Sequence, residues 1–111
     1  MEHMCETQTL AYTGEGYIIR CPQCLRIQLA FGTVAVVTKE KQLKKIKERA
    51  DLELLCRSAG TFEPDLKSVT LPITQTTMLC LTMRELEAFN DLLAQAFALL
   101  EVYALLDAVN G

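Results

Sequence analysis

The chain is poor in the side chains that most often do chemistry. It has one histidine, His3, and two serines, Ser58 and Ser68. A single histidine near a terminus is a poor general base, and neither serine sits in a nucleophile-elbow setting. Gly14 and Gly16 form a G-x-G, but no helix with a glycine-rich entrance follows, so a phosphate loop is excluded. The carboxylates are spread along helix surfaces. The sequence therefore shows no active site. An excess of positive charge is also lacking. The formal net charge is −3, which gives no global case for nucleic acid or an acidic membrane. The most apolar stretch, Phe89 to Val109, is broken by Asn90, Asp91, Gln95, Glu101 and Asp107. No membrane span is predicted. Met1-Glu2-His3-Met4-Cys5-Glu6 lacks a basic region followed by an apolar run, which predicts no signal peptide and a cytoplasmic location.

What is present is an ordinary globular balance. Of 111 residues, 50% are apolar and 23% charged, enough for one domain with a real core and too few for two. The five cysteines are expected to be reduced or metal-bound in such a compartment. Their odd number agrees, since any full pairing leaves one over.

Two stretches follow one plan. Arg26 to Phe31, Gly32-Thr33, Val34 to Thr38 and a helix make the first; Ser68 to Ile73, Thr74 to Thr77, Met78 to Thr82 and a helix make the second. Side-chain parity predicts the first turn. In one straight strand Ile27, Leu29 and Phe31 would oppose Val34 and Val36. A two-residue turn opening with Gly32, of type II′, sets Phe31 against Val34 and Leu29 against Val36, so all five share a face. Pro72 predicts a strand paired on one side only. The second hairpin has two possible registers, with either Met78 and Cys80 or Leu79 and Leu81 inside. Thr82-Met83-Arg84-Glu85 reads as a capping box with Leu81 and Leu86 as its staple. Thr38 is expected to cap the first helix, from about Lys39 to Ser58, with Gly60 ending it and Pro64 in the following loop.

The predicted fold is α+β and two-layered, a mainly antiparallel sheet of four to five strands covered by two helices. Its order is β-ββα-ββα, with a hairpin–helix pseudo-repeat. One domain spans 1–111: an N-terminal strand and cysteine knuckle (1–25), a first ββα unit (26–60) and a second (66–110).

On the last helix, Leu86, Phe89, Leu93, Ala96, Leu100 and Tyr103 form a stripe expected to face the sheet. Leu92, Leu99 and Leu106 recur every seven residues with Val102 and Val109 beside them. A helix apolar on two faces must bury both. Either the first helix covers the second face, or Leu92, Leu99, Val102 and Leu106 form a homodimer interface. On the first helix, Lys41, Lys44, Lys45 and Lys47 offer a basic stripe. It is read as a solvated face, opposite Leu43, Ile46 and Ala50, or as a nucleic-acid contact.

Cys21-Pro22-Gln23-Cys24 lies between two strand-like runs. Its spacing suits half of a tetrahedral zinc site, with Cys5 and then His3 as candidates to complete it. Leu25 stands where such knuckles often carry glycine. Cys56 and Cys80 read as small buried hydrophobes. Three readings remain open: zinc binding, an inert turn, or a thiol redox sensor using Cys21 and Cys24. No helix is expected after Cys24 to lower a thiol pKa, which argues against a fast dithiol catalyst.

The run from Cys21 to Gly32 resembles the C-x-x-C-x-x-I-x-L-x-F-G signature of small uncharacterised Bacteroidetes proteins. The resemblance extends over much of the chain and includes an upstream cysteine matched by Cys5. Thr33 departs from the Asn that often follows the glycine there. The family implies no function; it implies that Cys5, Cys21 and Cys24 belong to one cluster. The sequence as a whole points to a small, non-catalytic binding or interaction module, dimeric, with zinc at the knuckle as one reading of its cysteines.

Overall fold

The computed structural model describes residues 6–57 and 65–110. Six strands and two helices follow in the order β1 (Gln8–Thr13), β2 (Gly16–Arg20), β3 (Ile27–Phe31), β4 (Val34–Thr38), α1 (Glu40–Arg57), β5 (Val69–Pro72), β6 (Met78–Leu81) and α2 (Met83–Asn110). The class is α+β. The strands form two sheets, an antiparallel meander β1-β2-β3-β4 and a separate hairpin β5-β6.

The β3–β4 register pairs Phe31 with Val34 and Leu29 with Val36, as parity predicts. Gly32 has φ +60°, and Thr33 has no positive φ, the pattern of a type II′ turn. Ile27, Leu29 and Phe31 are buried, and Val34 and Val36 pack against them.

Two expectations need correction. The N-terminal segment carries two strands, β1 and β2, where one is expected, and there is not one sheet but two. Strand β1 carries a bulge between Thr9 and Ala11. Leu10 and Ala11 are therefore buried side by side. The extra residue breaks the period-two alternation by which a strand is recognised.

The β5–β6 ladder sets Val69 opposite Leu81 and Leu71 opposite Leu79. Leu79 and Leu81 point inward, leaving Met78 and Cys80 exposed. The longer turn decides this, closed by the Ile73 amide donating to the Thr77 carbonyl at 3.0 Å. Pro72 pairs only toward Met78, so its missing N–H costs no ladder bond on the other side.

The capping box is formed. The Glu85 amide donates to Thr82 Oγ1 at 3.0 Å, and the Thr82 amide donates to Glu85 Oε1 at 2.8 Å. The first helix is capped differently from expectation. The Leu43 amide donates to the Lys39 carbonyl, which makes Lys39 the cap residue. Gln42 Oε1 accepts from the Lys39 amide at 3.3 Å and from the buried Thr38 hydroxyl at 2.9 Å. A glutamine reaching back from the third helical position does what a capping glutamate does. The expected helix end at Ser58, with Gly60 and Pro64, lies outside the described residues.

The core lies between the sheets and α2. Phe31 from β3 meets Phe89 from α2 edge-on, with ring centroids 5.1 Å apart, a favoured aromatic geometry. Leu43, Ile46 and Ala50 are the buried face of α1.

Candidate functional site

The cysteine knuckle joins β2 to β3 at the end of their ladder. The Cys21 amide donates to the Arg26 carbonyl at 2.9 Å, extending that ladder by one bond. The Leu25 amide donates to the Cys21 carbonyl at 2.8 Å. Closing so tight a turn puts Leu25 at φ +62°, the left-handed region that glycine occupies freely and a leucine does not. The backbone thus has the shape that glycine ordinarily supplies after a C-x-x-C.

Cys21 is buried and Cys24 exposed. Cys21 Sγ accepts from the Cys24 amide at 3.5 Å, and its thiol donates to Gln23 Oε1 at 3.3 Å. An amide aimed at a sulfur stabilises negative charge there, an outer-shell contribution that suits a thiolate ligand. Strand β3 follows Cys24 with no helix between, so the helix-terminus activation used by dithiol catalysts has no source here.

Cys5 and His3 lie outside the described residues. Among the described residues no three His, Cys, Asp or Glu side chains cluster as a metal site. Cys56 and Cys80 are both exposed, which corrects their reading as buried hydrophobes. The β6 register turns Cys80 outward, and Cys56 lies on the solvent side of α1.

The basic helix carries Lys41, Lys44 and Lys45 exposed. Lys47 is instead paired with Asp51 one turn on, at 2.5 Å. Exposed pairs at this spacing contribute only about 0.3–0.5 kcal/mol. No aromatic side chain interleaves these lysines on α1.

The second stripe of α2 divides in two. Leu92 is fully buried in the chain's own core and Leu99 packs against it. Leu92 is therefore unavailable to another chain, which corrects its place in the expected interface. Beyond Leu100 only Tyr103 still packs on the core. Val102, Leu105, Leu106 and Val109 are all exposed, Val109 to 82%. With Leu99 at their head, Val102, Leu106 and Val109 keep a three-four-three spacing along one face. Sequence periodicity shows this stripe, but not the point at which the domain stops covering it. By length and composition α2 is apolar enough to cross a membrane. Its inner residues Leu86, Phe89, Leu93 and Ala96 are fully buried in the core, while only 22% of its most apolar window is buried.

No family model matches the chain, and no curated protein or solved structure does so either.

Proposed function

We propose that this chain is a small, non-catalytic interaction module that self-associates through the outer end of α2. The observation that carries this is the exposed stripe Val102, Leu106 and Val109, which continues from half-buried Leu99 past the last buried turn. A three-four-three apolar seam is self-complementary, so a second copy presenting the same seam buries both. Two such ends, each bearing Glu101 and Asp107, would keep their carboxylates on the flanks, in water. The hairpin–helix units β3–β4–α1 and β5–β6–α2 then read as one plan used twice, the second with its helix prolonged for this contact.

The knuckle supports zinc as a second element of the same module. Strand β1 sets Gln8 opposite Arg20, one residue from Cys21. Cys5 precedes Gln8 by three residues, a span of at most about 10 Å. Cys21, Cys24 and Cys5, with His3 as fourth ligand, make a chemically coherent set of soft and borderline donors. A reducing compartment such as the cytoplasm keeps these thiols available.

Light scattering on the purified protein tests the main reading. Wild type should run as a dimer and Leu106→Glu as a folded monomer; a wild-type monomer overturns it. Zinc content after purification without chelator tests the second element, which fails if the protein carries no metal.

A further inference from the structure

We propose that the cleft between β4 and the β5–β6 hairpin binds an extended, acidic segment of a partner chain by strand addition. This surface is distinct from the α2 seam and does not depend on it.

Strand β4 is an edge of the four-stranded sheet and is not hydrogen-bonded to the hairpin. Two cavities lie along the gap. One of about 280 Å³ is walled by Thr33 and Val34 at the start of β4, by Leu79 and Cys80 on β6, and by Lys67 and Glu85, which are paired with each other. The other, of about 670 Å³, lies between Val37 and Thr38 at the end of β4, Lys45 and Arg49 on α1, and Thr74 and Thr76 on the hairpin turn. The two cavities thus flank the start and the end of β4.

The β4 edge is unprotected. Sheet edges are usually blunted by a lysine, a proline or a bulge. Strand β1, the other edge, has its bulge, and β5 has Pro72. Val34–Thr38 reads Val-Ala-Val-Val-Thr, with none of these devices and with Val37 exposed to 64%. In a two-residue hairpin Phe31 and Val34 are the hydrogen-bonded pair, so alternation turns the N–H and C=O of Ala35 and Val37 to the open side.

Charge selects the occupant. The larger cavity is lined by Lys45 and Arg49 and by no carboxylate. Neither cation forms an ion pair among the described residues. Shape excludes a second copy. Its β4 would bring its own α1 and hairpin, whereas a lone extended segment needs only the width of one strand, about 4.8 Å from its neighbour. Main-chain pairing to β4 would supply affinity, and acidic side chains facing Lys45 and Arg49 would supply selectivity.

The test uses two fluorescein-labelled peptides of about seven residues, the span of β4 and its flanks. One alternates valine with aspartate and the other valine with lysine. Binding is read by anisotropy, and hydrogen exchange at the Ala35 and Val37 amides locates it. The acidic peptide should bind and slow both amides; the basic one should not bind. Val37→Pro, which removes one outward N–H, should weaken binding about tenfold. Lys45→Glu with Arg49→Glu, both on the surface, should reverse the preference and keeps the test decisive if the proline variant unfolds. Repeating the titration with Leu106→Glu separates peptide binding from self-association. No acidic binding at millimolar peptide, equal binding of both peptides, or protection away from β4 overturns the proposal.

Discussion

The guanidinium of Arg20 lies over the ring of Tyr103, with Cζ 5.3 Å from the ring centroid. Gln8 Oε1 holds the same guanidinium, accepting from Nε at 3.1 Å and from Nη2 at 2.9 Å. Arg20 thus ties β1 and β2 to α2 next to the knuckle, beside their shared apolar core. Tyr103 is the last side chain of α2 that packs on the core. From there the helix runs on unsupported for about two turns.

A double-mutant cycle should detect this contact. Arg20→Ala and Tyr103→Ala, singly and together, should show a coupling of about 0.5–1 kcal/mol in urea unfolding, the size of a partly exposed cation–π pair. Additive effects would mean that the stacking contributes nothing to stability.

Gly16 faces the backbone of β3. A Cβ there would lie 2.2 Å from the Ala30 carbonyl oxygen and 3.0 Å from the Phe31 Cα. Both are main-chain atoms of a paired strand, so neither can swing aside. Gly16→Ala should lower stability by about 2 kcal/mol or more, within the range of overpacking. Gly14, whose Cβ would meet nothing within 4 Å, supplies the control: Gly14→Ala should change the urea midpoint little.

Leu25 gives the opposite sign. It is exposed, so truncation loses little packing, and its positive φ costs a leucine about 1–2 kcal/mol. Part of that gain is offset by the greater freedom of glycine in the unfolded chain. Leu25→Gly should raise stability by about 0.5–1 kcal/mol. Thermal unfolding would check it, and a lower melting temperature for the glycine variant would contradict the strain.

Glu85 should make the start of α2 sensitive to acid. Its carboxyl is held below the ordinary value of 4.5, first by the hydrogen bond from Lys67, then by that from the Thr82 backbone. Burial acts against them. A carboxylate favoured in the fold stabilises it fully above the unfolded pKa, and that stability is lost as pH falls through the lower folded value. Wild type should therefore lose stability relative to Glu85→Gln as pH drops below about 4.5, and less so at high salt. Parallel curves for the two proteins would assign the box no electrostatic role. Thr82→Ala should cost about 1 kcal/mol at all these pH values.

Much of this fold is local and can be read from the chain. Parity around Gly32 fixes the first hairpin, because only one turn puts five apolar groups together. Thr82 and Glu85 announce α2 because each satisfies an amide of the other. The buried face of α1 and the inner stripe of α2 follow from helical period. Strand β1 was hidden because its bulge sets Leu10 beside Ala11, and a local pattern does not say which partner strand absorbs the extra residue. The cap at Lys39 was hidden because Gln42 acts from its side chain and Thr38 looked the better acceptor.

By itself, then, the sequence determined which segments extend, which coil and which face of each is apolar, since these depend on neighbours a few residues away. Only the tertiary structure decided that Leu92 is core while Leu106 is surface, and that Cys80 faces water. It also decided that β4 and the hairpin belong to separate sheets, with a cavity lined by Lys45 and Arg49 at the end of β4. Those outcomes depend on where one element ends against another, a matter of lengths and docking in space that no periodicity along the chain contains.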